Sequence, residues 1–179
     1  RRGSVNLFKR YFFHGSSALI LGMISPLATA SEDIEFTTHE GFELETVLRE
    51  PQVQQPLSIN FDERGRMWVT QYRQFPFPKG LKVKGHDKYW RIQYENFPPP
   101  PPPNHVKGID RISIFEDKKG DGNFTFVKTF LDGLNVCTSA LPGRGGVWVL
   151  NPPYLMFYPD ANRDDIPDGD PEVHLAGFG

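Results

Sequence analysis

From residue 31 onward apolar residues do not recur at the 3.6-residue spacing of a helix; they cluster in short runs rich in β-branched and aromatic residues, parted by turn residues. "LSINF" (57–61) is followed by the turn "DERGR" and then "MWVTQY" (67–72). "RISIF" (111–115) is followed by "EDKKGDGN" and "FTFVKTF" (124–130). The order then recurs. "NVCTSAL" (135–141) and the turn "PGRGG" lead to "VWVL" (147–150), and "YLMFY" (154–158) leads through an acidic loop to a last strand near 172–175.

The two halves align on fixed offsets. Phe115 and Tyr158 lie 43 residues apart, as do Asp117 and Asp160, whereas Trp68 and Trp148 lie 80 apart. The difference of 37 equals the length of an extra segment, residues 73–109, in the first half. With that segment removed, both halves have the four-strand period of about 40–45 residues that marks a β-propeller blade. The expected fold is therefore all-β: a β-propeller fragment of about two four-stranded blades with a Pro-rich insertion. Blade one spans about 42–133 and blade two about 134–179. An ordinary β-sandwich with similar strands is the competing architecture. Two blades cannot close a ring, and "HLAGFG" at the end reads as a lead into a third, so the remaining blades are expected partners within a longer chain.

The insertion carries six consecutive prolines, Pro98–Pro103, a run that favours stiff polyproline II and suits a strut holding the segment against one end of the blades. Ahead of the prolines sits "GHDKYWRIQY". His86 beside Asp87, with Arg91 near, is the candidate catalytic group, because a carboxylate can orient and charge-stabilise an imidazole; adjacent side chains rarely face each other, however. Tyr89 and Trp90 are candidate ligand-stacking residues, and a hydrogen-bonded lid anchored by Trp90 is the plainer alternative.

Charge changes the picture at the N-terminus. Residues 1–30 hold four cations and no acid, then the apolar run "ALILGMISPLA" and the small-residue pattern "ATA" before Ser31. That order reads as a signal peptide over 1–30, which makes 31–179 a partial propeller exported to the periplasm or cell exterior. The apolar run is too short to span a bilayer, so no membrane span is expected in this fragment. From Ser31 on, 16 basic residues face 22 acidic ones, a net of −6, which argues against a nucleic-acid partner. Cys137 is the one cysteine and has no partner for an internal disulfide.

Oxygen-bearing residues alternate in "DANRDDIPD". Asp160, Asn162 and Asp164 fit the first, third and fifth positions of a calcium loop, the Ile166 carbonyl the seventh and Asp168 the ninth. Calcium is thus a candidate cofactor. Asp165 stands where a calcium loop wants glycine, and an Asx-rich turn is the alternative. The upstream copy has Lys119 at its third position, where a cation repels calcium, and reads as a structural turn.

The stretches "GFELETVLREPQVQQPLSINFDERGRMWVTQYRQFPFP", "GHDKYWRIQYENFPPPPPPNHVKGIDRISIFED" and "GGVWVLNPPYLMFYPDANRDD" resemble the N-terminal propeller part of a bacterial family of PVC-type haem-binding C-x-x-C-H proteins, also described as membrane-bound dehydrogenases. The resemblance covers about residues 36–179. It implies further blades and a C-terminal haem c domain beyond these residues, and a likeness to quinoprotein sugar dehydrogenases. The implied function is oxidation of sugars or alcohols. No C-x-x-C-H lies in the chain, and no residue matches a quinone-binding motif. The enzyme reading therefore rests on family resemblance. Its alternative is a non-catalytic propeller that binds polysaccharide or protein.

Overall fold

The structure, a computed structural model, describes residues 37–177. Among these there is no helix. Ten strands form two four-stranded antiparallel sheets and one two-stranded hairpin, all within the compact unit Leu44–Gly179. The segment read as a signal peptide, 1–30, lies outside the described residues.

The first sheet is ordered β1 (Pro56–Phe61), β2 (Met67–Gln71), β5 (Asp110–Glu116) and β6 (Thr125–Leu134). The second runs β7 (Ser139–Pro142), β8 (Gly146–Asn151), β9 (Tyr154–Pro159) and β10 (Glu172–Ala176), again in chain order across the sheet. These are the sets of strands that the spacing predicts. β3 (Val83–His86) and β4 (Ile92–Tyr94) form a hairpin inside the insertion, which the hydrophobic pattern did not announce.

One boundary differs. The reading placed a strand at 135–141, but β6 continues to Leu134 and β7 begins only at Ser139. Register slips between Asp110 and Arg111 and between Ile112 and Ser113 let "LDGL" stay paired with β5. Gly133 takes φ 77° there, a value open to glycine. Val136 at φ 69° then turns the chain into the second sheet.

The repeat is visible in the register. Trp68 lies opposite Ile114 and Met67 opposite Phe115; Trp148 lies opposite Phe157 and Val147 opposite Tyr158. Each second pair is the first carried forward by the offsets of 80 and 43 residues.

The main core lies between the sheets. Trp68, Ile112, Ile114, Phe130 and Leu134 of the first pack on Ala140, Val147, Val149, Tyr154, Met156 and Tyr158 of the second, with Cys137 at the link. Alternation along each strand sends the other residues outward. Behind the first sheet, Met67, Val69 and Phe115 are covered by Val53 and flanked by Leu48 and Phe124. Asn60 at the edge donates 2.7 Å to the Ala140 carbonyl, so β1 meets β7 through a hydrogen bond. Among the described residues no helix is long and apolar enough to cross a membrane.

Candidate functional site

The insertion folds over one end of the two sheets and is pinned by polar groups at strand ends. Asp110, fully buried at the start of β5, accepts from the Gln74 amide at 2.6 Å and from the Cys137 amide at 2.9 Å. Burial pushes its carboxyl above the usual range, against the lowering effect of those amide donors. One side chain thus ties the root of the insertion to the link between the sheets. Asn135 repeats the device: its Oδ1 accepts from the Lys79 amide at 3.0 Å and its Nδ2 donates to the Lys79 carbonyl at 2.7 Å. Tyr154 Oη donates 2.5 Å to the Pro99 carbonyl, fastening the proline run to β9.

These ties border an open cavity of about 660 Å³. Its walls include the rings of Tyr72, Tyr94, Phe97 and Tyr154 and several prolines. Its polar lining includes Asn151, Asn135, Gln93, His105, Lys79 and Lys84, with no carboxylate among the lining residues. Asn151, at the end of β8, is only 5% exposed, and its Oδ1 has no hydrogen-bond partner. His105 Nε2 lies 2.9 Å from the Gly133 carbonyl, which needs a proton on Nε2. In the neutral ring Nδ1 is then an acceptor, and it too is buried without a partner. Apolar walls with a few convergent polar groups are the usual make-up of a small-molecule site.

The candidate residues of the hairpin lie outside this lining. The Asp87 carboxylate serves the hairpin's own turn. Its Oδ1 accepts from the Tyr89 and Arg91 amides at 2.8 and 3.0 Å, and its Oδ2 accepts from Arg91 Nε at 2.7 Å. The amide donors, the Arg91 amide first, hold the Asp87 carboxyl below the usual carboxylate value. His86 stands against Trp90, ring centroids 6.0 Å apart, and has no hydrogen bond to Asp87 among those found. Lys88 and Arg91 both lie over the Tyr89 ring, at 4.8 and 5.5 Å. Trp90 is 84% exposed at the turn.

In the acidic loop the oxygens point at backbone amides. Asp160, 6% exposed, accepts from the Asp164 amide at 3.1 Å and the Asp165 amide at 3.2 Å, one on each oxygen. Asn162 Oδ1 also accepts from the Asp164 amide, Asp164 Oδ1 from the Ile166 amide at 2.9 Å, and Asp168 Oδ2 from the Ala161 amide at 2.7 Å. Ile166 is exposed. Among the described residues no group of three acidic, histidine or cysteine side chains is placed to hold a metal. In this arrangement the loop's side chains close a network of Asx turns. Asp117 does the same upstream, accepting from the amides of Gly120 and Gly122, both at 2.8 Å. If the loop takes calcium, chelator should lower the thermal unfolding midpoint and Asp160→Ala should abolish the difference; if it is a turn only, chelator leaves the midpoint where it is.

Among the side-chain cations that reach this acidic region, Lys128 Nζ donates to the Asp164 carbonyl at 2.6 Å, and Arg66 is the buried one. Its guanidinium donates to Asp165 at 2.6 and 2.8 Å and to Asp62 at 2.8 Å, joining the β1–β2 turn to the β9–β10 loop. Nothing in the sequence pattern marks Arg66, and Asp165 stands out only as the residue in place of a calcium loop's glycine. The sequence reading also missed Asn151 and His105, whose roles depend on which strand ends the insertion covers.

Covalent haem attachment needs paired cysteines, and Cys137 is alone, fully buried, with its thiol pushed well up by burial. These residues do not fit a haem c site. A family profile described as Domain of unknown function (DUF7133) matches residues 29–179, and the chain belongs to that family. No curated protein and no solved structure matches the chain.

Proposed function

We propose that the chain forms two blades of an exported β-propeller that binds a small polyhydroxylated molecule, a sugar or polyol, in the cavity under its insertion. The observation that carries the ligand reading is one aromatic-walled cavity lined by the amide and imidazole side chains of Asn151, Asn135, Gln93 and His105. Such side chains exchange hydrogen bonds with several hydroxyls while the C–H faces of a sugar pack on tyrosine and phenylalanine rings. The propeller reading is supported by the repeated register and by apolar residues on the outer faces. Leu57, Ile59, Phe61 and Phe126 lie exposed behind the first sheet and Leu141 and Leu175 beyond the second, where further blades would stack. The oxidation of such a ligand, with electrons passing to a haem or quinone held elsewhere in a longer protein, is the reading the family resemblance adds.

Isothermal titration of the full chain with a panel of monosaccharides and polyols tests this. One-to-one binding of at least one of them is expected. Asn151→Leu should weaken it about ten-fold, the loss of one good hydrogen bond. The same variant should leave the unfolding midpoint unchanged or raised, because the acceptor it removes has no partner in the fold. Failure of every sugar and polyol to bind would refute the proposal.

A further inference from the structure

The same cavity carries a charge pattern that narrows its ligand, resting on the sugar reading above. The chain beyond Ser31 is net −6, yet the cavity is lined by Lys79 and Lys84 and by no aspartate or glutamate. Cations gathered at one place on an otherwise acidic molecule attract an anion to that spot. Among the described residues neither lysine is engaged in a salt bridge, and the backbone of Lys79, rather than its ammonium, meets Asn135. The amide and imidazole side chains of the lining suit hydroxyl groups, the rings of Tyr72, Tyr94 and Phe97 offer packing faces, and the lysines suit an anionic oxygen. A neutral hexose satisfies the first two requirements and leaves the lysines to water. A simple carboxylate satisfies only the third.

We propose that the ligand is an acidic sugar, a hexuronate whose carboxylate is held by Lys79 and Lys84 and whose hydroxyls hydrogen-bond to the amide and imidazole side chains of the lining, Asn135, Asn151, Gln93 and His105. Tyr89 and Trp90 take no part, since the Tyr89 ring already faces two cations and both residues lie outside the cavity lining.

The test is titration of the full chain with glucuronate, glucose and acetate at low ionic strength, repeated on Lys79→Gln with Lys84→Gln. Glucuronate should bind at least about ten-fold more tightly than glucose, the scale of one charge-assisted contact. The double variant should erase that preference and keep the weaker glucose binding, and added salt should narrow the gap in the parent chain. The proposal falls if glucose binds as well as glucuronate, a result that leaves the sugar-binding reading standing. It also falls if acetate displaces glucuronate at equal concentration, which would mark an anion site without sugar recognition. If no sugar binds, both this proposal and the reading beneath it fail. Both lysines sit in the insertion outside the packed core, and far-ultraviolet circular dichroism of the double variant checks that it folds. If it does not, charge-conserving Lys79→Arg with Lys84→Arg, expected to keep the preference for glucuronate, decides the matter.

Discussion

Arg66→Ala should destabilise the fold by about 3–5 kcal/mol, the range for removing one partner of a buried ion pair. The side chains of Arg66 and Asp62 are 9% and 3% exposed, and that of Asp165 11%, so little water can replace the guanidinium. Removing it leaves two carboxylates close together; Asp62 keeps its amide and indole donors, but Asp165 loses both of the hydrogen bonds that Arg66 gave it. Urea unfolding of the variant measures the loss, and a drop below about 1 kcal/mol would show that the bridge is a surface pair of small worth. Arg66→Met with Asp165→Leu should recover much of the loss, since the cost is mainly that of the unpaired charge. The bridge also sets a pH window. Burial alone would raise the Asp62 carboxyl, but hydrogen bonds from Trp68, Arg66 and Arg64 outweigh it and hold the group below its ordinary 3.8. A lowered carboxylate contributes stability that is complete above the unfolded value and is lost as pH falls through the folded one. The parent should therefore lose stability below about pH 4, and the loss over that window should be smaller in Arg66→Ala.

The sheets could be read from sequence because their signal is local. Runs such as "MWVTQ" and "RISIF" carry β-branched and aromatic residues between glycine- and aspartate-bearing turns, and two offsets repeat. The cavity could not be read that way. It forms where residues from 72 to 106 meet residues from 135 to 154, a contact that no periodicity encodes. The hairpin β3–β4 escaped notice because "VKGH" and "IQY" are short and mostly polar, so neither shows alternation. His86 and Asp87 drew attention by adjacency, but in a strand-and-turn geometry neighbouring side chains diverge; Asp87 instead caps its own turn. The acidic loop shows the same limit. Alternating oxygens suit calcium and Asx turns equally, and the difference lies in where the carboxylates point, with Arg66 arriving 99 residues away in sequence.

The paired tryptophans give the second large effect and bear on the propeller proposal. Trp68→Ala should cost about 3–5 kcal/mol, the usual range for truncating a buried large aromatic. Trp68 is 2% exposed on the face that meets the second sheet, 5.1 Å from the Phe130 ring, and its Nε1 donates to Asp62 at 3.0 Å. Trp148 has the same register in its own sheet but lies on the face turned away. It packs on Phe157 and His174 at 4.9 and 4.8 Å and stays half-buried. A tryptophan that loses only part of its surface to the fold loses correspondingly less on truncation. In this chain Trp148→Ala should therefore cost less than half of Trp68→Ala by urea unfolding. If further blades stack as proposed, the Trp148 face becomes the equivalent of the Trp68 face, and in a longer protein the two variants should cost the same. Unequal losses there, with Trp148 still the cheaper site, would mean that no sheet covers the second blade and that the propeller reading is wrong.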